Sequence, residues 1–532
     1  MPPDSNADNG ADAGVRELAL RLGLIDPLRV GASVAGALRW GPTLGSAVGG
    51  AALRHPTRAA VIDDDGSMSF GELELTSTRT GRGLRGAGLA AQGHLGILCR
   101  NGRAFVDVLV AAGKVGAVPV LLNTGFAGPQ LGDVMAREQV DVLVCDPDFA
   151  DVVADSGFDG PVIFTSGDAG PTLVDIRKRP GRLGFGRFRP MAPVMLTSGT
   201  TGTPKGARRG SALDVSAATG VFKRIPYRTG DIFAIPAPLF HAWGLAQLGI
   251  AMSLGSTTVV AARFDPQRVL DDVVEHRATV LGVVPVMLQR LLEADVRKGV
   301  KGQLRIVASS GSALPVPVAE DWTARYGETL YNLYGSTEVG QAAIATPADL
   351  RDAPGTVGRP VDGTTVAILD ATRRPVAAGE TGEIFVGNGA QFDHYTGGGT
   401  KESVDGLMSS GDVGHLDQVG RLFVTGRADD MIVSGGENVF PAEVEDVILA
   451  IDGVVDAAVV GVDDDEFGQR LAALVVSDTS NVDADQVRKA VGSTLARYKV
   501  PRDVVFADEV PRTTTGKIRR VDVAAVIGDT AS

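Results

Sequence analysis

Cysteine is scarce in this chain of 532 residues, which contains only Cys99 and Cys145. Two thiols are too few for a disulfide framework or a cysteine metal site, and they fit a reducing, cytoplasmic compartment. Histidines number 6, and His55, His94, His276, His394 and His415 show no metal-ligand spacing. Positive charge is in deficit, 51 Lys and Arg against 64 Asp and Glu. A net charge of −13 gives the chain no overall attraction for nucleic acid. The N-terminus carries Asp4, Asp8 and Asp12 with no early cation, the opposite of a signal peptide. The longest stretch free of Asp, Glu, Lys and Arg, Ile232 to Ala262, could span a bilayer by length. It contains Pro236, Pro238, His241 and Gln247, so it reads as a buried strand–loop–helix. No Gly-x-Ser-x-Gly elbow or other nucleophile signature occurs.

Apolar residues make up 44% and charged residues 22%, which excludes a disordered or fibrous chain. The 69 glycines imply many tight turns and close backbone approaches. The length suggests about three structural units. The first dozen residues read as disordered, and Val15 to Leu53 as helical. Beyond Arg54, apolar runs such as His94–Cys99, Val118–Leu122 and Val140–Cys145 read as strands. Amphipathic segments such as Phe70–Leu84 and Phe105–Val115 read as helices between them. This alternation predicts an α/β protein with mainly parallel sheets. From Val366 shorter, Gly-spaced segments predict a β-rich subdomain. After Asp429 a separate block has its own helices, Pro441–Ala450 and Ala484–Ala496, and strands, Val454–Val462 and Leu471–Val476. The expected division is an extension over 1–53, a main domain over 54–428 and a small domain over 429–532. One stretch opposes the global charge: Arg177, Lys178, Arg179, Arg182, Arg187 and Arg189, interleaved with Phe185 and Phe188. It reads as a solvated loop, or as an anion site for a nucleotide phosphate or an acidic membrane surface.

The segment with the most distinctive chemistry is Thr197-Ser198-Gly199-Thr200-Thr201-Gly202-Thr203-Pro204-Lys205-Gly206, after the apolar run Val194–Leu196. A strand opening into Gly, Ser and Thr offers backbone N–H groups and hydroxyls without bulk, as a polyphosphate requires. It is not a Walker A loop, because no Lys-Ser/Thr pair follows a Gly-x4-Gly spacing. Lysine adds a second argument. Only 10 of the 51 basic residues are Lys, so random filling would place it at both Lys205 and Lys517 with a chance of 10/51 × 10/51, about 0.04. A compact, mobile ammonium is wanted at both positions.

This loop resembles the phosphate-binding signature of the adenylate-forming superfamily, which includes acyl-CoA synthetases, luciferases and peptide-synthetase adenylation domains. The resemblance covers roughly Arg54 to Arg520. It implies a large N-terminal domain of two α/β subdomains plus a β-rich one, and a small mobile α+β C-terminal domain. It also implies ATP, Mg²⁺ and coenzyme A, with acyl-AMP formed first and a thioester second. Tyr334-Gly335-Ser336-Thr337-Glu338 resembles the motif whose aromatic lies near adenine, whose Thr meets the α-phosphate and whose Glu holds Mg²⁺. Ser310-Gly311-Ser312-Ala313 resembles the loop closing over adenine. Asp412 matches the residue that accepts both ribose hydroxyls, and Arg427 the one contacting ribose and phosphate. Asp429 matches the hinge, and Ser434-Gly435-Gly436-Glu437 the passage for the pantetheine arm. Lys517 matches the adenylation lysine.

His241, in Pro238-Leu239-Phe240-His241-Ala242-Trp243-Gly244, reads on its own as a core histidine. Within the resemblance, His241 and Trp243 border the acyl and pantetheine channels. Amino-acid-activating relatives place an Asp there, and His241 cannot supply that anion to an ammonium. Two departures stand out: Leu407 replaces a frequent Trp after Asp405-Gly406, and Gly397-Gly398-Gly399 occupies positions where relatives often carry Pro and Glu. The expected function is an ATP-dependent acyl-CoA synthetase acting on a medium- or long-chain fatty acid, with no nucleic-acid partner. Three alternatives are loading of a carrier-protein phosphopantetheine, ligation of an aryl or short-chain acid, and an inactive nucleotide-binding module. The last predicts loss of Lys517, Glu338 or Asp412, and all three are present.

Overall fold

The computed structural model describes residues 23, 26–180, 183, 192–197, 205–208, 215–295, 299–396, 398–434, 437–464, 468–479, 482–513 and 516–531. The chain divides into two compact units. One comprises Met1–Val283, Glu293–Ala308 and Gly389–Thr400, the other Val284–Leu292, Ser309–Asn388 and Lys401–Ser532.

The first unit shows the strand–helix alternation that the sequence predicts. Strands His94–Leu98, Val118–Leu121 and Val140–Cys145 pair in parallel, flanked by Val162–Phe164 and Val194–Thr197. Leu95, Ile97, Val120 and Val144 are fully buried, as strands covered by helices on both faces must be. The helix Phe70–Gly86 begins where Ser69 and Glu72 cap it reciprocally. Ser69 N donates to Glu72 Oε2 at 2.8 Å, and Glu72 N donates to Ser69 Oγ at 3.2 Å. The next helix, Arg103–Val115, ends at Gly116 in the left-handed region. A second group of parallel strands, Ala59–Asp63, Thr257–Val259, Ile232–Ala234 and Val280–Val283, lies in that order. The uncharged stretch is strand, loop and helix: Ile232–Ala234, then Ala242–Leu254. No described helix is long and apolar enough to cross a membrane.

Of the segment expected to be helical, Val15 to Leu53, the part from Pro27 on forms two helices, Pro27–Trp40 and Leu44–Arg54, and residues 15–22, 24 and 25 lie outside the described residues. The dozen residues read as disordered lie outside the described residues. Of the basic stretch, Arg177 is committed to structure: its Nη2 donates to the buried Asp107 at 2.9 Å and its Nε to Thr80 Oγ1 at 2.9 Å. Lys178 pairs with Asp175 at 3.3 Å. Arg182, Arg187 and Arg189 lie outside the described residues.

The second unit holds the β-rich subdomain expected from Val366, and the strands before it, Leu330–Ser336, Gly340–Ala345 and Thr356–Pro360, also pair antiparallel, against the expectation of mainly parallel sheets. Strands Leu330–Ser336, Gly340–Ala345, Thr356–Pro360, Leu422–Arg427, Leu407–Leu416, Gly382–Gly387 and Thr365–Leu369 pair antiparallel in that order. The cause is local, since short turns return the chain beside itself, whereas a parallel pair needs a crossover of a dozen residues or more. Asp405 and Gly406 form such a turn. Both have positive φ, 49° and 81°, so the Asp-Gly pair supplies a two-residue hairpin between Ser403–Val404 and the strand that starts at Leu407. In the terminal block, helices Pro441–Leu449 and Ala484–Thr494 bury Val444, Ile448, Val487 and Val491 against Val459 and Ala473 of the strands Val454–Asp464 and Gly468–Ser477.

Candidate active site

In the second unit, the hairpin of Leu330–Ser336 and Gly340–Ala345 carries Tyr334, Gly335, Thr337 and Glu338. Its register slips between Tyr334 and Gly335, a bulge that re-aims the following side chains. Only glycine fits at 335, because a Cβ there would lie 2.1 Å from Gly340 O. Beyond it, Ser336 Oγ accepts from Glu338 N and Val339 N, both at 3.2 Å, and shapes the turn that presents Thr337 and Glu338.

The Tyr334 hydroxyl donates to Asp412 Oδ2 at 2.5 Å. Asp412 lies on Leu407–Leu416 directly opposite Arg427 of the neighbouring strand, whose Nη1 is 3.3 Å from Asp412 Oδ1. Arg427 also grips Asp429 with two bonds, at 2.9 and 3.1 Å. Burial raises the Asp412 pKa, while the Tyr334 bond and the cations Arg427, Lys401 and Lys517 favour its charged form. Burial and the adjacent Asp412 push the Tyr334 phenol well up, so it stays a donor. Burial opposes the charge of Arg427, but the bonds and charges of Asp429 and Asp412 outweigh it and raise its pKa.

Lys517 is exposed and closes a turn in which Thr513 N donates to Lys517 O and Gly516 N to Thr513 O, both at 2.8 Å. Arg512 secures this turn by donating to Gly516 O at 2.6 Å and to Asp456 at 2.6 and 3.0 Å. Ser310 Oγ donates to Leu333 O at 2.8 Å, tying the Gly311-Ser312-Ala313 loop to the strand that carries Tyr334. The unit thus sets Tyr334 and Arg427 on the Asp412 carboxylate, with Asp429 bound to Arg427 in turn. Ser434 and Glu437 face each other across a hairpin, and Gly435 and Gly436 lie outside the described residues. Lys401 was not singled out from the sequence. Its Nζ donates to Ser410 O at 3.2 Å, and the scarcity of lysine was the signal that could have found it.

In the first unit, Val194–Thr197 and Lys205–Arg208 form the two arms of a hairpin, with Thr197 opposite Lys205. Ser198, Gly199, Thr200, Thr201 and Gly202 lie outside the described residues, as do the side chains of Thr197 and Lys205. Thr396 clamps the hairpin. Its N donates to Gly206 O at 2.8 Å and its Oγ1 to Glu138 Oε1 at 2.6 Å. The glycines that follow are explained by conformation, since Gly398 and Gly399 both have φ of 87°. His241 is the residue before the helix Ala242–Leu254, its ring 4.5 Å from that of Phe240. Trp243 Nε1 donates to Val283 O at 2.8 Å.

No group of three or more His, Cys, Asp and Glu suited to a metal occurs among the described residues. A single carboxylate, Glu338, fits Mg²⁺, a hard cation that keeps waters and takes its other ligands from nucleotide phosphates.

A Gly/Ser/Thr sequence between paired strands in one unit, and in the other a carboxylate held by a tyrosine and by an arginine that also binds a second carboxylate, suit an enzyme that activates its substrate with ATP. Comparison with known proteins gives the family. The chain matches the AMP-binding enzyme model over residues 50–396 and the AMP-binding enzyme C-terminal domain model over 443–517, and it belongs to that family of adenylate-forming enzymes. It is 30% identical over 506 residues to an indoleacetate–CoA ligase of Aromatoleum aromaticum, covering 89% of this chain and 96% of the relative. It is 28% identical over 474 residues to a long-chain-fatty-acid–CoA ligase of Mycobacterium tuberculosis, covering 85% and 92%. Among solved structures, it resembles the o-succinylbenzoate–CoA synthetase of Bacillus subtilis in complex with ATP and magnesium. The TM-score is 0.78 at 26% identity, over 90% of this chain and 99% of that one. The protein is an ATP-dependent, AMP-forming acid–thiol ligase that uses a carboxylic acid, ATP, Mg²⁺ and CoA.

Proposed function

We propose that the acid is a medium- or long-chain fatty acid. The observation that carries this reading is the helix Ala242–Leu254. It contains no charged residue, yet Ala242 and Ala246 are exposed and a Cβ on Gly249 would meet nothing within 4 Å. An uncharged helix with an open face of small residues suits an acyl chain laid along it. His241 and Trp243 at its start border the route of the acid, and the absence of an anion there disfavours an amino acid. A ligase for an aryl acid is the second reading, favoured by the likeness to an indoleacetate–CoA ligase.

In the proposed mechanism Tyr334 flanks adenine, beside the loop Gly311-Ser312-Ala313. Asp412 accepts the ribose hydroxyls, and Arg427 meets ribose and phosphate. Gly199, Gly202 and the hydroxyls of Thr197, Ser198, Thr200 and Thr201 cradle the leaving phosphates, with Lys205 beside them. Thr337 holds the α-phosphate, and Glu338 would hold Mg²⁺, whose charge offsets that of the phosphates. Lys517 lies between the carboxylate and the α-phosphate and steadies the charge that develops as the acid attacks and pyrophosphate leaves. Rotation at Asp429 then moves the domain from residue 429 onward, and CoA reaches the acyl-AMP past Ser434, Gly435, Gly436 and Glu437.

The test is kcat/KM over saturated acids of increasing length and over arylacetic and cinnamic acids, for the wild type and Gly249→Phe. A fatty acid substrate predicts a preference for long chains that Gly249→Phe shifts to shorter ones. An aryl acid preferred by about tenfold or more over every fatty acid would overturn it.

A further inference from the structure

The helix Pro285–Glu293 lies in the stretch matched by the AMP-binding enzyme model, well before the C-terminal domain match over 443–517. Val284–Leu292 and residues 443–517 nevertheless belong to the same compact unit. Two side chains of this helix, Val286 and Gln289, reach the terminal block. Three residues apart, they share one helix face.

Gln289 Nε2 donates to Val455 O at 2.5 Å. The acceptor is a special one. Between the strands Val454–Asp464 and Gly468–Ser477, Val454 faces Ser477 and Asp456 faces Val476, so Val455 is the extra residue of a bulge, left out of the ladder. The next residue, Asp456, accepts from Arg512 Nε at 3.0 Å and from Nη2 at 2.6 Å, and Arg512 Nη1 donates to Gly516 O at 2.6 Å. One bulge is thus held by Gln289 at its carbonyl and tied to the lysine turn through its carboxylate. Val286 adds a second point of support. Gly516 is buried with a φ of 81°, and a Cβ there would lie 2.6 Å from Val286 Cγ1. Valine is stiff at χ1, so the turn seats against it only with glycine at 516. The Lys517 side chain itself is exposed, so its placement depends on what holds this turn.

We propose that Gln289 is a positioning residue for adenylation. Its bond to the bulge, with Val286 against Gly516, seats the turn that carries Lys517. Gln289 and Val455 stand on opposite sides of Asp429 in the chain, so rotation there parts them, and the bond is given up for the thioester step. This rests on the reading in which Lys517 serves adenylation and rotation at Asp429 exchanges the two poses. One neutral hydrogen bond is worth about two- to tenfold in an equilibrium, enough to favour one pose without locking it.

Exchange of labelled pyrophosphate into ATP, with the acid the wild type prefers, reads adenylation. Conversion of synthetic acyl-AMP with CoA reads the second step. Gln289→Met, of similar length but without the donor, should slow exchange about fivefold and leave the second step at the wild-type rate or faster. Gln289→Glu turns an acceptor toward the Val455 carbonyl and should slow exchange about tenfold or more, with the second step again spared. A residue that merely supports the fold would slow both steps together. That result, or unchanged exchange in both variants, overturns the proposal. Lys517→Ala measured alongside separates the proposal from the reading beneath it. If Lys517→Ala slows exchange alone and the Gln289 variants do not, only the positioning role fails. If Lys517→Ala slows both steps equally, the division of labour fails and the proposal falls with it.

Discussion

At the residue scale, Asp412 is the residue proposed to accept the ribose hydroxyls. It is a carboxylate with 13% exposure, held by a tyrosine donor and surrounded by three cations. Its raised pKa means that the acceptor form is lost on acidification at a higher pH than for an ordinary Asp. ATP affinity, measured by calorimetry, should therefore weaken as pH falls through that raised value, and Asp412→Asn should remove this dependence while weakening binding about tenfold or more. An unchanged pH profile in Asp412→Asn would take this carboxylate out of nucleotide binding. Lys517 differs in kind, being exposed at the tip of a braced turn. Lys517→Ala should slow adenylation about 100-fold or more, while synthetic acyl-AMP is still converted to the thioester at close to the normal rate. Equal loss in both half-reactions would refute that division of labour.

At the scale of elements, the bulge at Tyr334–Gly335 sets the aim of Thr337 and Glu338. Gly335→Ala places a methyl against Gly340 O, so the hairpin must splay. A loss of about 1–3 kcal/mol in stability and a fall in kcat are expected, read by thermal melting and turnover. Lys114 shows how helices are held. Its side chain is fully buried, and Nζ donates to Glu74 Oε2 at 2.6 Å and to Ser77 Oγ at 2.8 Å. Burial lowers its pKa to about 8, with Glu74 opposing. The unfolded chain binds this proton more tightly than the folded one. This site's contribution to stability therefore rises with pH from about 8 toward 10.5 and is flat below. Melting temperatures of the wild type and Lys114→Met across that range should differ by this increment, and parallel curves would contradict it.

The same elements show what the sequence makes legible. Fully apolar strands such as Val118–Leu121 and a helix with a Ser69–Glu72 cap announce themselves by composition and spacing. The Tyr334, Asp412 and Lys517 segments were recognisable because short motifs carry their chemistry in order. The Thr396–Glu138 clamp was not, since it joins positions far apart in sequence, and Lys401 bears no motif of its own. The β-rich subdomain after Val366 was legible from its short, Gly-spaced segments, but strand direction was not, because apolar runs look alike whichever way the partner runs and turns such as Asp405-Gly406 decide it.

At the scale of the whole molecule, the account is of one chain that performs two reactions on a carboxylate. In the proposed mechanism adenylation uses Asp412 and the groups that bind it, and thioester formation follows rotation at Asp429. The most direct measurement is mass spectrometry of the products formed from ATP, Mg²⁺ and a panel of fatty acids, with and without CoA. The account predicts enzyme-bound acyl-AMP and pyrophosphate without CoA, and free acyl-CoA and AMP when CoA is added. Acyl-AMP that accumulates equally with and without CoA would contradict CoA as the acceptor, and its absence under both conditions would contradict adenylation itself.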